Sequence, residues 1–385
     1  MSETSSHGLR TIAAWQREPL VSTPTWPAAA PVVVTRRIPV LSVQPVEGAQ
    51  VVTAGSTRQG YGRDSADVRA IQPAETWPCQ LRYQGFEQLL ACALGYMAKR
   101  LSGVLQPEAL GSGVYRHLLE MDQGLSTVIP WTTADGFTGG ELASPLYRVR
   151  RGTAAVDRQV SVWEHRSTMV SSLTIAATLE RVTVTVGLVG YRRVRDSVVN
   201  TPAVLQQTTL MSSPNILLRH GVLRLGAYST GTPLGNGDIL RPSTWQLTID
   251  NHLGAGPGPR TGLYSEEYEK PGVSTLTLSL GLARYRNDTA FTRLLAGTLL
   301  MGDLKLTGPL IGSTGVHYQH NLYFPQCVLT EVASPVQGAT VPGITHQATL
   351  LTPDTQPANF PVGNHLGPLF IELINMESRH PLLDD

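Results

Sequence analysis

The chain has 385 residues, and 30 Lys and Arg against 29 Asp and Glu leave a formal net charge of only +1. Charged residues make up 15% of it, well below the ~25% usual in soluble domains, which argues that neighbours cover much of the surface. The balance excludes the strong basic excess of a nucleic-acid-binding domain and any solvated charge block, and at ~150 residues per domain the length suggests two or three domains.

Residues 1–50 read as an extended arm. In "STPTWPAAAPVVVTRRIPVLSVQPVEG" the prolines Pro24, Pro27, Pro31, Pro39 and Pro45 keep the chain extended. Val32 to Val34 and Ile38 to Leu41 make it too apolar for a free tail. Such an arm lies either across a partner or on its own chain. On the partner reading it is dispensable for folding. The first residues, "MSETSSHGLRTIAAWQREP", lack the apolar core of a signal peptide. No apolar run approaches the ~20 residues of a membrane span. The expectation is a soluble protein made in the cytoplasm.

Residues 51–204 form a first, strand-rich domain. In "TWPCQLRYQGFEQLLACALG", Trp77, Cys79, Leu81 and Tyr83 alternate at the period of a strand. Phe86, Leu89, Leu90 and Leu94 then take helical spacing, and Gly95 ends the run. "RQVSVWEH" and "SSLTIAATLERVTVTVGLVGYRRV" alternate as antiparallel strands of a sandwich or barrel.

Residues 205–355 repeat that plan as a second domain. "STWQLTIDNHL" gives a strand, followed by the loop "GAGPGPRTG" and a second strand–helix unit, "STLTLSLGLARYRNDTAFTRLLAG". There Leu276, Leu278, Leu280 and Leu282 alternate, and Phe291, Leu294 and Leu295 lie on one helical face. Asn287, Asp288 and Thr289 supply capping oxygens, and Gly297 closes the helix. The two units align on Phe-x-x-Leu-Leu, Phe86 with Phe291, with a longer connection in the second copy. This points to an internal duplication. "GDLKLTG", "QHNLYFPQCVLTEV" and "THQATLLT" follow as strands. Residues 356–385 read as a tail with a short apolar helix around Leu369 to Met376.

No constellation of reactive groups emerges. Cys79, Cys92 and Cys327 lack metal spacing and read as buried apolar residues. "GAGPGPRTG" lacks the Lys-Ser/Thr ending of a phosphate loop, and its prolines remove N–H donors. His317 and His320, three apart in a strand, face opposite sides and cannot share a metal. Glu266, Glu267 and Glu269 of "YSEEYE" read as a solvated or lumen-facing acidic loop. The chain is therefore expected not to be an enzyme, with no catalytic, cofactor-binding or metal residues and no cofactor.

Three stretches together resemble the phage tail tube proteins, particularly those of long-tailed siphophages with two tube domains in one chain. They are "STRQGYGRDSADVRAIQPAETWPCQLRYQGFEQLLACALG", "WEHRSTMVSSLTIAATLERVTVTVGLVGYRR" and "WQLTIDNHL" with "EEYEKPGVSTLTLSLGL" and "NLYFPQCVLTEVASPVQGATVPG". The resemblance covers roughly residues 50–355, and no single motif in it is diagnostic. It implies a mainly β fold with short helices (α+β), as two tandem antiparallel sandwich or barrel domains, each with a flanking helix. It further implies a structural virion protein, the major tail tube subunit. A homo-oligomer, a trimeric ring with pseudo-sixfold symmetry, would stack into a tube through which phage DNA passes on ejection. Tape measure, terminator and tail-tip proteins would be its other partners. A membrane would not be a partner, and it would reside in the bacteriophage tail after assembly in the host cytoplasm. The lumen of such a tube is expected to be acidic. The alternatives are another tail-associated or contractile-injection tube component, or a β-sandwich carbohydrate-binding module, which would cluster its tryptophans on one face.

Overall fold

A computed structural model describes residues 12–18, 31–54, 65–124, 128–142, 147–158, 161–178, 180–255, 260–261, 264–265, 268–270, 272–284, 287–334, 343–358, 360–361 and 366–384. The fold is mainly β. Its longer strands are β1 Ile12–Arg17, β2 Arg36–Ile38, β3 Gln44–Ala54, β4 Ser65–Gln80, β5 Val114–Met121, β6 Arg151–Asp157, β7 Val162–Thr178, β8 Arg181–Val189 and β9 Arg192–Arg195. After them come β10 Gly221–Ala227, β11 Thr244–Asp250, β12 Thr275–Leu282, β13 Leu299–Leu310, β14 His317–Ala333, β15 Ile344–Leu351 and β16 Phe370–Asn375. Three short helices interrupt them, α1 Glu87–Leu94, α2 Pro202–Gln207 and α3 Thr289–Leu295.

Eight strands make one antiparallel sheet in the order β3-β4-β8-β7-β11-β12-β15-β14. Alternation along each strand sends one set of side chains into the core. Trp77 and Cys79, Val184 and Val186, Leu173 and Ile175, Leu247 and Ile249, and Leu276 and Leu278 are all buried there. Strands β7 and β14, 17 residues each, are long enough to serve twice. Their C-terminal halves belong to this sheet, and their N-terminal halves leave it to pair elsewhere. There β7 takes β6 and β9, β14 takes β13 and β16, and β5 pairs with the far side of β16.

Helix α1 is buried along its whole length, between β7 and the pair β1 and β5. Gly95 ends it at φ 91° with its N–H on the Ala91 carbonyl, and a Cβ there would fall against the Arg150 guanidinium. Helix α3 begins where Asn287 Oδ1 accepts the Thr289 N–H at 3.2 Å, so of the three expected capping residues Asn287 makes the bond.

The apolar arm lies on its own chain. β1 pairs with β6 and β2, and Trp15 is 1% exposed in the main core. An arm dispensable for folding is thereby excluded for the described residues 12–18 and 31–45. The C-terminal residues are likewise no tail. The stretch expected to be a helix, Leu369 to Met376, is instead strand β16, inserted between β14 and β5 and buried throughout. A strand covered on both faces loses the polar alternation that marks a half-buried one, so its short apolar run looks helical in sequence.

Buried charges tie these segments down. Arg36 from β2 lies 3.1 Å from Glu377 and 3.8 Å from Glu87 at the start of α1. Asn375 donates to Glu87 at 2.7 Å. Glu18 accepts from Arg151 at 2.6 Å and from Ser167 at 3.0 Å. Removing one partner leaves an uncompensated charge in the interior, which is far costlier than losing a surface pair. Arg36→Ala is therefore expected to destabilise the fold by about 3–5 kcal/mol, read from the urea midpoint, whereas Arg241→Ala at an exposed position should change it by less than about 0.5 kcal/mol.

Candidate functional site: an open sheet face between two free edges

The two halves of the eight-stranded sheet carry the same strand order. In the first, β3, β4, β8 and β7 follow one another across the sheet, and in the second β11, β12, β15 and β14 do so in the same connectivity. Two irregularities fix the correspondence. The β6–β7 register shifts between Thr168 and His165, and the β7–β8 register between Val170 and Ser172. The β13–β14 register shifts between Cys327 and Phe324, and the β14–β15 register between Leu329 and Glu331. One alignment of β7 on β14 superposes both bulges, Thr168 on Cys327 and Val170 on Leu329. A bulge inserts a residue and bends the strand, so two coincident bulges mark a repeated plan. The same alignment sets Glu75 against Leu278 through their partners Leu188 and Ala348. Glu75 to Phe86 then spans two residues fewer than Leu278 to Phe291, so the second connection is the longer one.

The halves join where β7 pairs with β11, Ser172 opposite Asp250 through Thr178 opposite Thr244. The outer strands have no such neighbour among the described residues. β3 pairs only with β4, and the β14 stretch Glu331–Ala333, which matches the part of β7 that holds β11, pairs only with β15. The sheet thus ends in one edge of each kind that meets at its own centre. Beyond Ala74 the β3–β4 hairpin runs on past the sheet to Ala54 opposite Ser65, touched there by a single parallel bridge from Ile71 to Tyr264.

The side chains on the face turned away from the core are mostly short and uncharged. It presents Thr76 on β4, Thr183 and Thr185 on β8, Thr174 and Ala176 on β7, Gln246 and Thr248 on β11, Thr277 and Ser279 on β12, and Gln347 and Thr349 on β15. Among the described residues its charges are Asp250, Arg181 and Glu331, all at strand ends. The acidic wall implied by the resemblance is absent from the described part of this face.

The residues searched for chemistry are scattered. Burial pushes the Cys92 and Cys327 thiols up to about 12 and the Cys79 thiol higher still, so none is a poised nucleophile. His317 is exposed and donates to the Gly308 carbonyl at 2.7 Å. His320 points the other way, 1% exposed, and neither of its ring nitrogens has a partner among the described residues. Residues 256–259 and 262 of the glycine-rich loop, Glu266 and Glu267, the lead-in loop 55–64, and the "PVQG" stretch at 335–338 lie outside the described residues. Trp15, Trp77, Trp131 and Trp245 are buried, which removes them from any exposed aromatic platform. No protein-family model matches the chain, and no curated protein matches it.

Burial holds His117 and His320 down to about 4, because charging them would strip a cation of water. The unfolded chain takes up those protons near pH 6.5 and the folded chain only near pH 4. Stability is then full above pH 6.5 and falls as pH drops toward 4, by up to ~3 kcal/mol for each histidine. His320→Leu should flatten that loss and stabilise the protein by about 1 kcal/mol at pH 7, since it replaces a buried unpaired N–H by a methyl-rich side chain among Leu306 and Leu373. Urea midpoints across pH 4 to 8 check both outcomes.

Proposed function

We propose that this chain is a structural subunit of a phage tail tube, the major one, three copies of which close into a ring with pseudo-sixfold symmetry. The observation that carries the reading is the pair of unlike free edges on a sheet whose centre already joins edges of those two kinds. An open strand edge is a row of unpaired N–H and C=O groups, and the least costly way to cover it is a strand of matching length. The internal junction supplies the register. Ser172 opposite Asp250 corresponds to Glu331 opposite Gly48 of the next copy, so the next copy's β3 continues the sheet as β11 does within the chain.

Such a contact is heterologous, and three steps close it. The mostly uncharged face then lines a channel. A wall mostly of threonine, serine and glutamine, with Arg181 at a strand end as its one cation among the described residues, releases few counterions from DNA and does not retain it. The long β3–β4 hairpin, which runs beyond the sheet, supports stacking of one ring on the next. The tape measure, terminator and tail-tip proteins are the further partners that the resemblance implies, in the virion.

Two outcomes test this. Native mass spectrometry and negative-stain electron microscopy of the full chain should give trimers and rings with threefold or pseudo-sixfold end views, and a chain that stays monomeric up to its solubility limit overturns the reading. Val332→Pro, which removes one edge N–H because Glu331 and Ala333 turn theirs to β15, should lower ring yield at least ~10-fold with little loss of melting temperature. Ala333→Pro, which breaks the β14–β15 ladder instead, is the control that lowers the melting temperature as well. Placing lysines at Thr185, Thr248 and Thr349 should make assembled tubes retain duplex DNA in a filter assay at low salt, where the unmodified tubes let it pass.

A further inference from the structure

At one end of the sheet, beneath α3, lies a cavity of about 620 Å³. It opens where β12 ends at Leu282 and β15 begins at Ile344. Arg241, Arg284 and Arg293 line it, and none of the three guanidinium groups has an ion-pair or hydrogen-bond partner among the described residues. The acidic residue in the lining is Asp238, which already accepts the Gly235 N–H at 2.8 Å. His346 reaches the cavity from β15 while only 8% exposed, with neither ring nitrogen partnered among the described residues. Its pKa is lowered by burial first and by Arg293 second, so the cation nearby already bears on it.

Among the described residues the matching place in the first half is closed. There Val186 holds the position of His346 and is fully buried, and α1 is buried from end to end. On α3 only Ala290 is buried, and Leu295 is 88% exposed. The same plan is thus filled in one half and left open, basic and partly apolar in the other.

The opposite end of the same sheet carries the complement. β11 ends there at Asp250 and β12 begins there at Thr275, and the segment between them contains "YSEEYE", with Glu266, Glu267 and Glu269 clustered between Arg260 and the buried Lys270. Two pairings place its described residues at that end. Tyr264 bridges Ile71 of the projecting hairpin, and Glu269 pairs with Gly254. A strand of β12's eight residues is about 25 Å long, so the backbone of Tyr264 and Glu269 lies about that far from the cavity of its own chain.

We infer that the cavity under α3 receives the acidic segment Tyr264–Glu269 of a second copy, stacked end to end. This rests on the ring reading above and deepens it by naming the two surfaces that meet between rings. Three guanidinium groups face three carboxylates, guanidinium being suited to paired contacts with carboxylate oxygens, and the buried His346 ring adds a donor. The contact is heterologous, so it propagates as a filament.

Charge exchange in the full chain tests it. Arg284→Glu with Arg293→Glu should leave trimeric rings intact by native mass spectrometry and weaken their stacking at least ~100-fold by sedimentation. Glu266→Arg with Glu267→Arg should do the same, and all four changes together should restore stacked tubes. Stacking of the native rings should also fall as salt is raised. Trimers that stack normally in either double variant overturn the docking assignment and leave the ring reading standing. Failure of the fourfold variant to restore stacking overturns it as well. If citrate or inorganic phosphate raises the melting temperature while the double variants still stack, the cavity belongs to a small anion instead.

Discussion

The structure depends on backbone hydrogen bonding across the pairing of β7 with β11. That ladder joins the last strand of the first half to the first strand of the second, and it makes one eight-stranded sheet of what would otherwise be two sheets with four bare edges. Every strand edge leaves polar groups that water or another strand must satisfy. Covering two edges internally leaves one of each kind outside. The two free edges are therefore unlike each other, as are the two that meet at the centre.

Around this sheet the two halves diverge in how their helices are covered. α1 is closed in by β1 and β5, and the charges beneath it are matched by Arg36 and Asn375 from opposite ends of the chain. The N-terminal arm is therefore spent on the first half, and the C-terminal strand ties β14 of the second half to β5 of the first. α3 has no such cover from the described residues, which leaves an open cavity with unpaired arginines at one end of the sheet. Two halves of the same strand order are thus made unequal by what covers them.

Charge is distributed to match. Ion pairs are gathered in the interior around β1, β2 and α1 and on the outer strands, where Arg116 reaches Glu372 at 2.6 Å and Arg224 pairs with Asp303. The open face of the sheet holds threonine and glutamine, whose small or uncharged side chains suit a β-strand and attract no polyanion. The near-neutral total thus conceals a sorted arrangement, with a neutral face and charges at the ends and in the core.

The sequence by itself determined the strands whose one face meets water and the two strand–helix units. Alternation at period two in "SSLTIAATLE" and "STLTLSLGL", and the switch to helical spacing at Phe86 and Phe291, are local signals that survive folding. The longer connection in the second copy was legible for the same reason. Tertiary structure decided the rest. Leu369 to Met376 became a strand because neighbours on both faces removed its alternation. Trp15 entered the core because the extended arm found β6, a partner far away in sequence. The free edges and the cavity under α3 depend on which strands lie side by side, and pairing of distant strands is set by packing and register that no single stretch of residues encodes.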